Sequence, residues 1–189
     1  VAVQVNDTRV GTLGEGARTL ASGWGGKPFG RPNDLVVARD GTVYFTDSGR
    51  NPNQAAPAGA PEPAPPAVYR LRGTQLDRIA ADITRPNGIQ LSPDEKTLYV
   101  ADTAGEHVFA YALQADGNLG PRRAFVKLAG YRQAANGSWS SGADGLAVDA
   151  QGRLYVATNV GVEVFDAAGQ GLGVIALPKQ PQNLAFAGP

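Results

Sequence analysis

Short apolar or alternating runs, each closed by Gly, Pro, Asn or Asp, recur along the whole chain. Leu35–Ala38 and Val43–Thr46 flank the tight turn Arg39-Asp40-Gly41, and Ala67–Leu71 and Leu76–Ala80 flank Gly73-Thr74. Gly88–Leu91, Leu98–Ala101, His107–Leu113 and Arg122–Leu128 repeat the plan, with Ser92–Lys96 and Ala115–Asn118 as turns. Gly145–Val148, Leu154–Ala157, Val162–Phe165 and Leu172–Leu177 repeat it again. Val1–Asn6 and Arg18–Ala21 precede the first full set. The runs are short, rich in Val, Leu and Tyr, and carry no 3.6-residue period, so they predict strands and no helix. Three longer connectors interrupt them: Ser22–Gly30, Arg50–Pro66 with Pro at 52, 57, 61, 63, 65 and 66, and Gly130–Gly142. The proline-rich one is expected to be a surface loop of polyproline character, either a lid or a linker-like segment.

The runs form a repeat. Arg31-Pro32-Asn33-Asp34-Leu35 returns as Arg85-Pro86-Asn87-Gly88-Ile89, as Gly142-Ala143-Asp144-Gly145-Leu146 and as Pro181-Gln182-Asn183-Leu184. The aligned positions 33, 87, 144 and 182 lie 54, 57 and 38 residues apart. Four antiparallel strands at such a period make a propeller blade. The expected fold is therefore all-β, a single partial β-propeller domain over 1–189. Residues 1–30 would end one blade and form a connector. Residues 31–84, 85–141 and 142–180 would be three complete blades, and 181–189 the first strand of the next. In that arrangement the turn before each first strand and the loop after each second strand share one face, and the long connectors gather there. First strands lie nearest the axis, so Asn33, Asn87 and Asp144 are expected to converge.

Composition narrows the chemistry. Seventeen acidic and seventeen basic residues in 189 give zero formal charge without a long like-charge run, which argues against nucleic-acid and anionic-membrane partners. There is no Cys and a single His, which excludes disulfides, thiolate chemistry and the usual structural zinc sites. No apolar run approaches a membrane span, and Val1–Asp7 has no signal-peptide pattern. The sequence has no Met, even at position 1, so the chain is expected to begin inside a longer one. A soluble protein of the cytoplasm or periplasm is expected; compartment and oligomeric state stay open.

Three side-chain oxygens around an axis suit a hard cation, Ca²⁺, Mg²⁺ or Mn²⁺. The same Asn and Asp residues are also ordinary turn formers, and the repeat alone supports both readings. Asp47 and Asp102 end second strands and read as turn caps. His107 alternates with Val108 and Ala110 and has no nucleophile beside it. Trp24 and Trp139 lie in connectors, as loop packing or as pocket lining. Gly23–Gly26 lacks the Lys and the helix of a phosphate loop.

At the repeated corners the sequence resembles the gluconolactonase, senescence-marker-protein (regucalcin) and luciferin-regenerating-enzyme family of six-bladed propellers, and most resembles its bacterial gluconolactonase-type members. The matching stretches are Arg31–Val37 with Tyr44–Asp47, Arg85–Ile89 with Ser92–Asp102, Ala143–Leu146 and Asn183–Phe186. The resemblance implies a divalent metal on the axis, Ca²⁺ or Zn²⁺. It matches Asn87 and Asp144 to metal ligands, Asn33 to a residue contacting metal or substrate, and Arg31 to a substrate-binding arginine. It also implies a further ligand, a glutamate of an earlier blade that this sequence does not contain; Glu15, in a turn, is no substitute. The implied activity is metal-assisted hydrolysis of a small sugar-acid lactone, with Asp144 as ligand and base. Organophosphate or other ester hydrolysis at the same site, and a non-catalytic ligand- or protein-binding propeller, are the alternatives.

Overall fold

The structure, a computed structural model, describes residues 1–4, 7–51, 55–56 and 58–187. Among them every regular element is a strand. No helix is long and apolar enough to cross a membrane, which leaves spans made of strands unaddressed. The chain divides into two compact units, Val1–Pro86 and Asn87–Pro189.

The first unit holds a three-stranded sheet, β1 (Ala2–Gln4), β2 (Arg9–Gly11) and β3 (Thr19–Ala21), then the small hairpin β4 (Gly23–Trp24) and β5 (Lys27–Pro28). A four-stranded antiparallel meander follows in sequence order: β6 (Pro32–Val37), β7 (Val43–Asp47), β8 (Ala67–Arg72) and β9 (Gln75–Ala80). The middle strands β7 and β8 are buried along nearly their whole length, in keeping with the unbroken apolar stretches Val43–Phe45 and Ala67–Tyr69 that open them. The outer strand β9 is half-exposed and carries Gln75, Asp77 and Arg78. The core joins Val10, Phe29, Val43, Phe45, Ala67, Tyr69 and Leu71. Phe29 meets Phe45 and Tyr69 edge-on, and Phe45 stacks on Tyr69 with centroids 5.2 Å apart, arrangements that aromatic quadrupoles favour.

The second unit repeats the meander twice. One sheet runs β10 (Pro86–Leu91), β11 (Thr97–Asp102), β12 (His107–Ala112) and β13 (Arg123–Lys127). A short hairpin of β14 (Arg132–Gln133) and β15 (Trp139–Ser140) leads to the other sheet, β16 (Leu146–Val148), β17 (Leu154–Thr158), β18 (Gly161–Phe165) and β19 (Gly171–Ile175). The two sheets share one core, which includes Tyr99, Val108, Val126, Leu146, Val156 and Phe165. The short turns are built alike. Asp40, Asp94, Asp116, Asp149 and Asp166 each accept the backbone N–H two residues on, the local bond that makes Asp a turn former.

The structure differs from the sequence-based expectation in four places. The N-terminal sheet has three strands where two were expected, because Arg9–Gly11 inserts between the other two. Val5 and Asn6, the end of the expected Val1–Asn6 strand, lie outside the described residues. The connectors 22–30 and 130–142 each fold into a two-residue ladder. Residues 181–189 were expected as a first strand; of these, 181–187 form no ladder, and 188–189 lie outside the described residues.

The proline-rich segment is anchored at its far end. Ala64 is buried and its N–H donates to Pro28 O at 2.8 Å, Glu62 pairs with Lys27, and Arg50 donates to Pro61 O. Its two ends also meet: a β-carbon at Gly49 would come within 2.7 Å of Pro66 Cγ, and Asp47 pairs with Ala67 across the β7–β8 ladder. Of its expected features, positions 52–54 and 57 lie outside the described residues.

Candidate functional site

In the first unit the corner Gly30–Asp34 is held from below by the end of β7. Asp47 is fully buried and accepts three backbone N–H groups, from Gly30 at 2.8 Å, Arg31 at 2.6 Å and Gly49 at 3.0 Å. Burial pushes its carboxyl up from the ordinary value, and those three donors pull the other way. Burial, with the Asp47 charge nearby, also pushes the Tyr69 hydroxyl up to about 12, so this ring stays neutral. The pairing of β6 with β7 slips by one residue between Pro32 and Leu35. The bulge lies at Asn33 and Asp34, and such an extra residue re-aims a side chain out of the ladder. Asn33 Nδ2 then donates to Ser48 Oγ at 2.9 Å, and Ser48 Oγ donates to Pro86 O at 2.6 Å. Arg31 is half-buried beside it, with its carbonyl accepting the N–H of Ser48.

The second unit builds the same corner at Asn87, which is buried. Its Nδ2 donates to Thr103 Oγ1 at 2.8 Å, and Thr103 Oγ1 donates to Ala143 O at 2.6 Å. Thr103 is itself fixed, because its carbonyl accepts the Ser140 hydroxyl at 2.7 Å and the Ser141 N–H. Asp102, the residue before it, caps the following turn by accepting the Ala104 N–H. Gly88 lets the next corner approach: a β-carbon there would overlap the carbonyl of Asp144. Asp144 is half-buried, and its N–H donates to Ala157 O at 3.0 Å. Gly145 repeats the approach one step on, against Asn183, and its N–H donates to Gln182 O.

In the second unit Gly88, the neighbour of Asn87, thus packs against the carbonyl of Asp144, and Arg31 and Asn33 lie in the corner of the first. Ser48 and Thr103 escaped the sequence reading, although each follows the Asp that ends a second strand, a recurrence that marks them. His107 lies on β12 beside Glu106 and Phe109, away from these corners in sequence and in partners. Trp24 lies under the Arg78 guanidinium and Trp139 against Tyr131, contacts that pack the connector hairpins.

Among the described residues no group of three His, Cys, Asp or Glu side chains gathers as a metal site. The two candidate donors in the second unit are an amide and a carboxylate. Because Thr103 takes the amide nitrogen of Asn87, the oxygen is the end turned elsewhere, and Asp144 is by type a hard anionic oxygen donor. That chemistry fits a hard divalent cation, which takes six to eight oxygens when it is Ca²⁺, so further ligands beyond these two residues are required.

The family model for the SMP-30/Gluconolactonase/LRE-like region matches residues 3–189. A gluconolactonase from Zymomonas mobilis is 35% identical over 167 residues, covering 85% of this chain and 46% of that protein. Among solved structures, a gluconolactonase from Xanthomonas campestris superposes with a TM-score of 0.79 at 38% identity, over 95% of this chain and 59% of that one. A calcium-binding regucalcin from Agrobacterium tumefaciens superposes with a TM-score of 0.65 at 25% identity, over 84% and 50% of the two chains. The chain spans about half the length of these relatives. With corners, strand order and family model in agreement along nearly its whole length, the chain belongs to the SMP-30/Gluconolactonase/LRE-like family.

Proposed function

We propose that this chain carries part of the site of a hydrolase acting on small sugar-acid lactones, within a six-bladed propeller whose blades include 31–84, 85–141 and 142–180. The observation that carries the reading is the packing of Gly88, the neighbour of Asn87, against the carbonyl of Asp144, in a chain with relatives named gluconolactonases. Asn87 and Asp144 would hold a divalent cation, Ca²⁺ first among the candidates, given the calcium-binding regucalcin among its structural relatives. When bound, such a cation polarises a carbonyl and stabilises the oxyanion that forms from it.

The rest falls to the chain's own groups. Asp144 would accept a proton from the attacking water, which needs its carboxylate within hydrogen-bond reach of that water. The water oxygen bonds to the lactone carbon, the ring C–O bond breaks as the leaving oxygen takes the proton back from Asp144, and the product is an open-chain hydroxy acid. Arg31 would donate to substrate oxygens, a role suited to a planar guanidinium with several N–H groups. Asn33 would orient the substrate, or serve as a further oxygen ligand.

The test is pH-stat hydrolysis of gluconolactone by the protein, with and without added Ca²⁺. Asp144→Ala is expected to lower kcat by on the order of a hundredfold or more while circular dichroism stays unchanged. Undiminished turnover in that variant removes Asp144 from the mechanism. Lactone binding without turnover in the wild type favours a non-catalytic propeller.

A further inference from the structure

The two amide corners share a device that the carboxylate corner lacks. A hydroxyl carries one hydrogen. In Thr103 that hydrogen goes to Ala143 O, 2.6 Å away, and a carbonyl can only accept. Toward Asn87, therefore, the Thr103 oxygen can only accept, and Asn87 must present its NH₂ end there, at 2.8 Å. The direction of the amide follows from this logic and not from a choice between two look-alike ends. Ser48 does the same in the first unit: its hydrogen goes to Pro86 O at 2.6 Å, and it accepts from Asn33 Nδ2 at 2.9 Å.

The third corner supplies the contrast. Position 159 occupies the slot of Ser48 and Thr103, but it is Asn, and its Nδ2 donates to Ser140 O at 2.9 Å and Gly130 O at 3.3 Å. The corner residue there is Asp144. A carboxylate presents an acceptor at either end and needs no such orientation, whereas an amide turned the wrong way presents N–H groups where an oxygen is required.

We infer that Thr103, and Ser48 in its own unit, are positioning residues that fix which end of the corner amide faces the site, Thr103 acting on Asn87 and Ser48 on Asn33. The inference rests on the reading of these corners as oxygen donors to a cation or substrate. It adds the residues that make an asparagine serviceable in that role.

The experiment uses the ¹⁵N-labelled protein with Thr103→Val, which keeps the shape and removes the hydroxyl, and Thr103→Ser, which keeps the hydroxyl. Side-chain NH₂ resonances of Asn87 are followed by NMR, and binding of Ca²⁺ alone by calorimetry. Thr103→Val is expected to shift or split the Asn87 resonances and to weaken Ca²⁺ binding by about tenfold or more, with Thr103→Ser restoring both. Unchanged Asn87 resonances in Thr103→Val overturn the inference, as does Ca²⁺ binding as tight as the wild type's. If the wild type binds no Ca²⁺, the cation reading falls, and the NMR comparison still decides the orienting role. Should Thr103→Val fail to fold, Ser48→Ala against Ser48→Thr, read on the Asn33 resonances, decides it in the same way.

Discussion

A single hydrogen atom decides how close two corners come. Gly88 abuts the carbonyl of Asp144 so tightly that any side chain must push the second unit's corners apart. Gly88→Ala is therefore expected to destabilise the protein by about 2–3 kcal/mol, the usual cost of overpacking a fixed backbone contact. Urea unfolding checks the stability, and loss of Ca²⁺ binding in the variant would accompany the displaced corner. At this scale the sequence was informative for some residues and silent for others. Asn33, Asn87 and Asp144 stood out because the same turn chemistry recurred in one slot, and Arg31 because its neighbours matched a family pattern. Ser48 and Thr103 did not, because a hydroxyl after a strand-ending Asp reads as turn filler. Their roles depend on a carbonyl about 40 residues away in the chain, and no local pattern reports it.

Strands show the same division. The middle strands were legible as apolar runs because both their faces are covered, and the Asp-Gly turns because their local hydrogen bonds are set by residue type. The strand Arg9–Gly11 and the two hairpins within connectors were not, since ladders of two or three residues carry no period to detect. Among these Asp turns, one places a residue other than glycine in the left-handed region. In Ser92–Lys96 the residue after the capping Asp94 is Glu95, held at φ 56°, whereas Gly41 and Gly117 follow Asp40 and Asp116 at φ 85° and 79°. A left-handed residue with a β-carbon costs about 1–2 kcal/mol, part of which glycine returns as unfolded-chain entropy. Glu95→Gly is expected to raise stability by about 0.5–1 kcal/mol, visible as a higher melting temperature with lactone hydrolysis unchanged.

The whole chain is neutral by count, yet its response to acid is not. Asp77 is held below its ordinary value by its bonds from Arg70, Asp94 by Ser92, and Glu106 by Lys127. A carboxyl with a depressed folded value contributes stability that is present above its unfolded value and lost as pH falls through the folded one. Asp47 runs the other way, its contribution present below the unfolded value and lost as pH rises through the raised one. With several depressed groups against one raised, stability is expected to fall as pH drops below about 4. Urea midpoints between pH 3 and 6 measure this, and Asp77→Asn should flatten the slope. A midpoint that rises on acidification contradicts the assignment. The exposed apolar residues of β19, Leu172, Val174 and Ile175, belong to the same scale, where a strand's sequence looks like core and its surroundings decide whether it is covered.

The meeting of Gly49 with Pro66 has a consequence for engineering. A segment that leaves and re-enters the scaffold at touching points has already met the entropy of closing its ends, and lengthening it adds only a slowly growing term. The part of the loop before the anchored Pro61–Ala64 stretch can thus serve as a cassette, framed by the β7–β8 ladder and the Ala64 N–H bond to Pro28 O. Foreign loops, reporter peptides or new chain termini can be placed there with the blade left as the fixed frame.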